Sequence, residues 1–158
     1  MEFVELRNNS LNQDLLTNFF IEVNNYFIPT LSYRILNKSD GVTDFSEYSK
    51  KVLKLAKCLV ISENNQIKGI VIIYTNDSIN KKSYIPILAV KKESQGKGYS
   101  KKLMGKAIEK ARLEGMKEVI VKTWSENKIA IKIYERLGFS VIEERGNGIS
   151  LKLKIWTH

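Results

Sequence analysis

One stretch limits what this chain can fold into more than any other. Ser83 to Val90 reads as a strand, the chain then turns through Ser94-Gln95-Gly96-Lys97-Gly98, and from Ser100 to Glu114 the apolar residues Leu103, Met104, Ala107, Ile108 and Ala111 recur at helical spacing. A strand feeding a helix through a small-residue turn points successive backbone N–H groups outward at the helix N-terminus, where they bind a phosphate or pyrophosphate without a metal. Lys91, Lys92, Lys97, Lys101, Lys102 and Lys106 crowd the same turn and add a positive field. As a turn alone the segment would need no ligand.

The remaining pattern surrounds this unit with alternating elements. Phe3 to Leu6 reads as a short strand, and Leu11, Leu15, Leu16, Phe19 and Val23 as the inner face of a helix ending near Asn24-Asn25. The stretch from Tyr26 to Val42 is irregular, with Pro29, Ser32, Asn37, Ser39, Asp40 and Gly41. Asp44 then opens a second helix, with Glu47 at the capping-box position and Phe45, Tyr48, Val52 and Leu55 facing inward. Cys58 to Glu63 and Ile67 to Tyr74 form a hairpin across Asn64-Asn65. Pro86 interrupts the Ser83–Val90 strand, where a lost ladder donor implies a bulge or a local splay. Val119 to Lys122 is a short buried strand, and Asn127 to Leu137 a helix burying Ile129, Ala130, Ile133 and Leu137 and ending at Gly138. Phe139 to Glu144 and Gly148 to Trp156 close the chain as a hairpin in which Ile149, Leu151, Leu153 and Ile155 alternate with Ser150, Lys152 and Lys154. The expected order is β-α-α-β-β-β-α-β-α-β-β, an α+β chain forming one domain over residues 1–158.

Composition removes whole classes of chemistry. The only histidine is His158 at the chain end and the only cysteine is Cys58 in an apolar run, which excludes Ser-His-Asp and Cys-His hydrolases, zinc clusters and a disulfide framework. No metal is expected. No apolar run approaches the roughly 18 residues of a membrane span, and the N-terminus lacks signal-peptide character, so a cytoplasmic protein with no membrane partner is expected. The net charge of +9 favours anionic ligands. Its concentration at the glycine turn, with no nucleic-acid motif, argues against a nucleic-acid partner.

The turn is not a P-loop, since the Gly-x4-Gly-Lys-Ser/Thr spacing is absent, and it lacks the three-glycine dinucleotide fingerprint. As Gln95-x-x-Gly98-x-Ser100 it resembles the Gln/Arg-x-x-Gly-x-Gly/Ala motif of the GNAT N-acetyltransferase superfamily, departing from it only in the final serine. Asn127, Ala130, Tyr134 and Gly138-Phe139 resemble the superfamily's Asn-x-x-Ala-x-x-x-Tyr-x-x-x-Gly-Phe signature, in register with the first motif. The resemblance implies an α/β/α sandwich whose mixed, mostly antiparallel sheet splays between the parallel strands at Leu88-Ala89-Val90 and Val119-Ile120-Val121. It further implies acetyl-CoA as co-substrate, held by Leu88, Ala89, Val90, Gln95, Gly96, Lys97, Gly98, Tyr99, Ser100, Asn127 and Ala130. In that frame the Val90 amide stabilises the oxyanion, and Tyr134 is the general acid for the departing thiolate.

The general base is not marked. Tyr84 stands where some members of the superfamily carry a glutamate, and Asp77, at a strand end, is the candidate from this sequence. Phe27 and Arg34, in the loop that usually contacts the acceptor, are candidate substrate contacts together with Tyr84. A small-molecule amine, such as an amino sugar or an amino-acid-like compound, is the expected acceptor, with a protein lysine or N-terminus as the alternative and a non-catalytic CoA-binding module as a third reading. A monomer or homodimer fits the pattern, the latter through the edge of the closing hairpin.

Overall fold

In a computed structural model, residues 1–27, 29–36 and 40–155 are described, so the expectations placed on Asn37, Ser39, Trp156 and His158 lie outside the described residues. Strand β1 (Glu2–Glu5) leads into helix α1 (Ser10–Val23), a 3₁₀ turn (Asn24–Tyr26), helix α2 (Leu31–Ile35) and helix α3 (Phe45–Leu55). Strands β2 (Lys57–Glu63), β3 (Gln66–Tyr74) and β4 (Lys82–Val90) follow. A 3₁₀ turn at Lys92–Ser94 then leads to helix α4 (Tyr99–Leu113), strand β5 (Glu118–Trp124), helix α5 (Lys128–Arg136) and strands β6 (Ser140–Arg145) and β7 (Gly148–Lys154). The short α2 is an addition to the expected order. Its Thr30 hydroxyl accepts from the Tyr33 amide, a local cap inside a stretch whose apolar spacing is too brief to read as a helix.

The sheet has seven strands in the order β1-β2-β3-β4-β5-β7-β6, and β4 with β5 is its one parallel pair. The β2–β3 hairpin turns at Asn64 and Asn65 with φ of 52° and 63°, a left-handed pair that matches strand twist. One face of the sheet packs on α1, α2 and α3 through residues such as Val60, Ile70, Ile72 and Ile87, and the other on α4 and α5 through Ile61, Val71, Val119 and Val121. The result is the expected three-layer α/β/α sandwich. Helix α4 lies so close to β3 that a Cβ at Gly69 would stand 3.0 Å from Leu103 Cδ1. Leu103, Met104, Ala107 and Ala111, all fully buried, hold that contact at roughly 1.5–3 kcal/mol for each large apolar side chain removed from water.

Three inner faces differ from expectation. In α1 the buried stripe is Leu16, Phe19, Phe20 and Val23, while Leu11 is 68% exposed and Leu15 lies at the edge. Phe20 stacks edge-on against Tyr48 and tilts against Phe45, and these rings rotate the helix toward α3. In α3 the inner face is Tyr48, Ser49, Val52 and Leu53, and Leu55 is exposed. Ser49 is buried because its hydroxyl donates to the Phe45 carbonyl at 2.8 Å and accepts from the Thr17 hydroxyl at 2.9 Å. In α5 Ile129 is 77% exposed and Tyr134 is the most buried residue, while Ala130, Ile133 and Leu137 pack partly buried against the same core as expected.

Cys58 lies under α1 and α3, and burial pushes its thiol up to about 12. Alkylation by iodoacetamide at neutral pH is therefore expected to be at least 100-fold slower in the folded protein than in denaturant, because the thiolate is both scarce and covered. Equal rates in the two states would show that this layer opens readily.

Candidate functional site

Strands β4 and β5 are hydrogen-bonded neighbours only from Lys82↔Glu118 to Ile85↔Val121. At that point Pro86 removes a donor, and the register between β3 and β4 shifts between Ile72 and Tyr74, placing an extra β4 residue opposite Ile73. Beyond it β4 continues to Val90 beside β3, β5 continues to Trp124 beside β7, and the two diverge. Both effects expected from Pro86, bulge and splay, are present.

The open edge of β4 has a defined chemistry. The Lys91 amide donates to the Lys68 carbonyl across β3, so by antiparallel alternation the Leu88 and Val90 backbone groups face away from β3, into the splay, while those of Ala89 face β3. The Gln95 side-chain amide donates to the Val90 carbonyl at 3.1 Å. Gln95 thereby ties the turn to the strand end, with the Val90 N–H directed into the same gap.

Helix α4 starts at the far end of this gap, and its start is unlike the others. Asn9, Thr30, Asp44 and Asn127 each cap their helices with a side chain, whereas α4 begins at Gly98, in the left-handed conformation at φ 79°, with no side-chain cap. The first N–H groups of a helix have no intrahelical partner, so those of Tyr99 and Ser100 are left for another acceptor. Gly96, Lys97 and Gly98 are exposed around them, Gly96 also at positive φ. Tyr99 differs in its side chain, which is buried and donates to the Glu63 carboxylate, so only its backbone faces the turn. Of the six lysines around the turn, Lys91 is paired with Glu22 at 2.6 Å and Lys106 lies toward Glu109 and the Phe3 ring. Lys97 and Lys102 lean over the Tyr99 ring beside the helix start. The Tyr26 hydroxyl accepts from the Lys92 amide at 3.1 Å and fastens the end of α1 to the same turn.

On the α5 side, Asn127 accepts from the Ala130 amide at 3.4 Å and donates to the Thr123 hydroxyl at 3.1 Å, locking the helix start to β5. Tyr134 is 6% exposed, its ring 5.8 Å from that of Phe139. Burial pushes its phenol up to about 12, partly offset by the positive charge of Arg34. Burial also raises the Tyr84 phenol, and Arg34 offsets that too. Arg34, Tyr84 and Tyr134, named from distant parts of the sequence, thus share one electrostatic neighbourhood. Arg34 also lies 5.0 Å over the Phe27 ring.

A cavity of about 490 Å³ opens next to the splay, lined by Arg34, Tyr84, Pro86, Lys122, Trp124 and, from the closing hairpin, Glu143 and Arg145. Lys122 Nζ lies 5.7 Å over the Tyr84 ring, and Arg145 pairs with Glu143 at 3.1 Å. Lys122, Trp124, Glu143 and Arg145 escaped the sequence reading; the one available signal was the i, i+2 spacing of Glu143 and Arg145, which puts both on one face of a strand. Asp77 is not brought here. It follows β3, and its carboxylate accepts the Ile79 and Asn80 amides at 3.2 and 2.9 Å, the work of a turn residue. A smaller hollow of about 210 Å³ lies at the opposite edge, between β1 and α4, and touches neither splayed strand. No group of acidic, histidine or cysteine residues among the described residues could hold a metal ion, and no described helix is long and apolar enough to cross a membrane.

A family model described as "Acetyltransferase (GNAT) family" matches residues 18–139. N-alpha-acetyltransferase 30 of Schizosaccharomyces pombe is 36% identical over 58 residues, which is 37% of this chain and 39% of that protein. The chain thus spans well under half the length of this curated relative. Among solved structures, an acetyltransferase of the GNAT family from Streptococcus pneumoniae has a TM-score of 0.75 at 19% identity, covering 98% of this chain and 100% of its own. The paia N-acetyltransferase of Thermoplasma acidophilum, solved with coenzyme A, has a TM-score of 0.73 at 16% identity, covering 98% and 100%. At these identities the likeness is one of fold.

Proposed function

The chain belongs to the acetyltransferase (GNAT) family, and from that premise we propose that it transfers the acetyl group of acetyl-CoA to the primary amine of a small molecule. The observation that carries this reading is the pairing of an uncapped helix start at Gly98 with a strand edge that loses its neighbour at Pro86. The first suits the phosphates and the second an extended pantetheine arm, which can take the place of a strand. When bound, acetyl-CoA supplies the acetyl group as a thioester for attack by the amine nitrogen. Leu88 and Val90 offer backbone groups along the arm, and the Val90 N–H meets the negative charge that develops on the carbonyl oxygen. The amides of Gly98, Tyr99 and Ser100, with Lys97 and Lys102, take the phosphates. Asn127 and Ala130 keep the α5 start beside the arm, and Tyr134, which holds its proton throughout the neutral range, donates it to the leaving sulfur as the C–S bond breaks, while the proton shed by the amine nitrogen passes to solvent and solvent restores the phenol. Arg34, Tyr84 and Phe27 belong to the acceptor side.

A small acceptor is favoured by the cavity, whose volume falls in the usual range for small-molecule sites and whose walls come from α2 and the closing hairpin. A polypeptide N-terminus is the second reading, favoured by the similarity to N-alpha-acetyltransferase 30. Thiol release from acetyl-CoA, followed with small amines, with peptides bearing a free N-terminus and with N-terminally blocked lysine peptides, separates the two. Turnover of small amines at kcat/KM at least tenfold above both peptide sets is expected. A preference for free N-termini would replace the first reading with the second.

A further inference from the structure

One amine is already present in the cavity beside the splay. Lys122 is the one lysine among the described residues that line it. The last rung between β4 and β5 is Ile85↔Val121, so Lys122 is the first β5 residue after the strands part. Val119 and Val121 are buried in the layer under α4 and α5, and alternation along the strand sends Lys122 to the opposite face. There its Nζ lies 5.7 Å over the ring of Tyr84, which stands on β4 just before the parting. Glu143, the carboxylate of the cavity, is paired with Arg145 at 3.1 Å, and no carboxylate among the described residues holds the Lys122 ammonium. The side chain is exposed, where a cation is held only weakly by an aromatic ring, and its four-carbon stem lets the amine swing toward the splay.

Resting on the acetyl-transfer reading, we propose that Lys122 is itself an acetyl acceptor, modified by the acetyl-CoA bound to the same molecule. An acceptor occupying this cavity presents its nitrogen to a thioester held in the splay. Lys122 presents a nitrogen from the cavity wall without having to be bound first. Joining two reactants in one molecule replaces a bimolecular encounter, and with good alignment the effective concentration reaches about 10⁵ M or more. Nζ, once deprotonated, attacks the carbonyl carbon; the N–C bond forms as the C–S bond breaks, and the electron pair of that bond leaves on sulfur. The ammonium gives up two protons in all, the sulfur takes one by way of Tyr134, and solvent restores that phenol. The products are an acetamide at Lys122, the CoA thiol and one released proton. Acetylation removes the positive charge over Tyr84 and so changes the cavity that external amines enter.

The experiment incubates the full chain with acetyl-CoA in the absence of any added amine and follows each lysine by peptide mapping and mass spectrometry. Lys50 and Lys132, exposed and outside the cavity lining, report unassisted acetylation. Lys122 is expected to be modified at least 10-fold faster than either, with a rate constant independent of protein concentration. Intact-mass analysis should show one fast acetyl addition that Lys122→Arg removes. Ser100→Asp should bring Lys122 to within about threefold of the two controls and leave the controls unchanged, because it weakens the hold on the cofactor and leaves the lysine intact. Acetyl phosphate, which has no pantetheine arm, should show no preference for Lys122. Labelling of Lys122 no faster than the controls in a protein that acetyl-CoA stabilises would overturn the proposal. So would a rate constant that rises with protein concentration, or an equal preference with acetyl phosphate, which would mark a lysine that is merely reactive. Failure of acetyl-CoA itself to stabilise the protein would remove the transfer reading first, and this one with it.

Discussion

Replacing Tyr134 with phenylalanine is expected to lower kcat by about 100-fold, the lower end of what a positioned general acid contributes. The low end follows from the pKa. A phenol pushed up to about 12 is a weaker acid than an ordinary thiol near 8.5, so in the proposed role its proton would move only in concert with C–S cleavage, with a small driving force. Because the ring is buried and packs on Phe139 without its hydroxyl, the variant should keep its fold and its acetyl-CoA affinity within a factor of about two, while the KM for the amine changes little. The pH profile carries a second signature. The group's pKa is raised in the folded state, so its acidic form persists through the neutral range and no falling limb assignable to Tyr134 is expected below about pH 11. By the same sign, its contribution to stability is fully present below pH 10 and is lost as pH rises toward 12. A Tyr134→Phe enzyme with wild-type kcat would assign proton donation to solvent.

Ser100→Asp should act on binding rather than on chemistry, with opposite signs for stability and affinity. Ser100 occupies the second position of α4, whose start has no side-chain cap. A carboxylate there interacts favourably with the helix dipole, about 0.3–1 kcal/mol, so the unliganded protein should melt at the same temperature or slightly higher. The same carboxylate occupies the space and field proposed for the phosphates, and like charges brought together in a binding site cost several kcal/mol. Acetyl-CoA affinity measured by calorimetry is therefore expected to fall at least 100-fold. Unchanged affinity with a raised melting temperature would mean that the phosphates do not use this helix start.

The parts of this molecule that were legible in the sequence are those built from neighbours along the chain. Asp44 and Asn127 announce their helices because a cap is a contact across three residues, and Asn64-Asn65 announces its hairpin because the turn needs two left-handed residues. Gln95, Gly98 and Ser100 declare an open helix start, and Pro86 declares the place where β4 and β5 part, since a ring that lacks a donor cannot continue a ladder. The buried stripes of α1 and α3 were less legible. Aromatic packing around Phe20 and a satisfied hydroxyl on Ser49 outweighed simple apolar spacing. The cavity beside the splay was the least legible of all. Its walls come from Arg34, Tyr84, Lys122 and Glu143, which lie on α2, β4, β5 and β6, and only the pairing of β5 with both β4 and the closing hairpin, under α2, brings these together. Asp77 shows the converse, a carboxylate at a strand end whose Oδ1 accepts two amides of its own turn and which lies away from the cavity.

Thermal unfolding with and without acetyl-CoA tests the central claim, that the splay and the α4 start form a cofactor site, most directly. At about 100 times its dissociation constant the ligand should add roughly 2.7 kcal/mol of stability, seen as an upward shift in Tm that Ser100→Asp cuts to about 0.4 kcal/mol or less and Tyr134→Phe retains. No shift at millimolar acetyl-CoA would contradict the account and leave a GNAT fold whose groove holds something else.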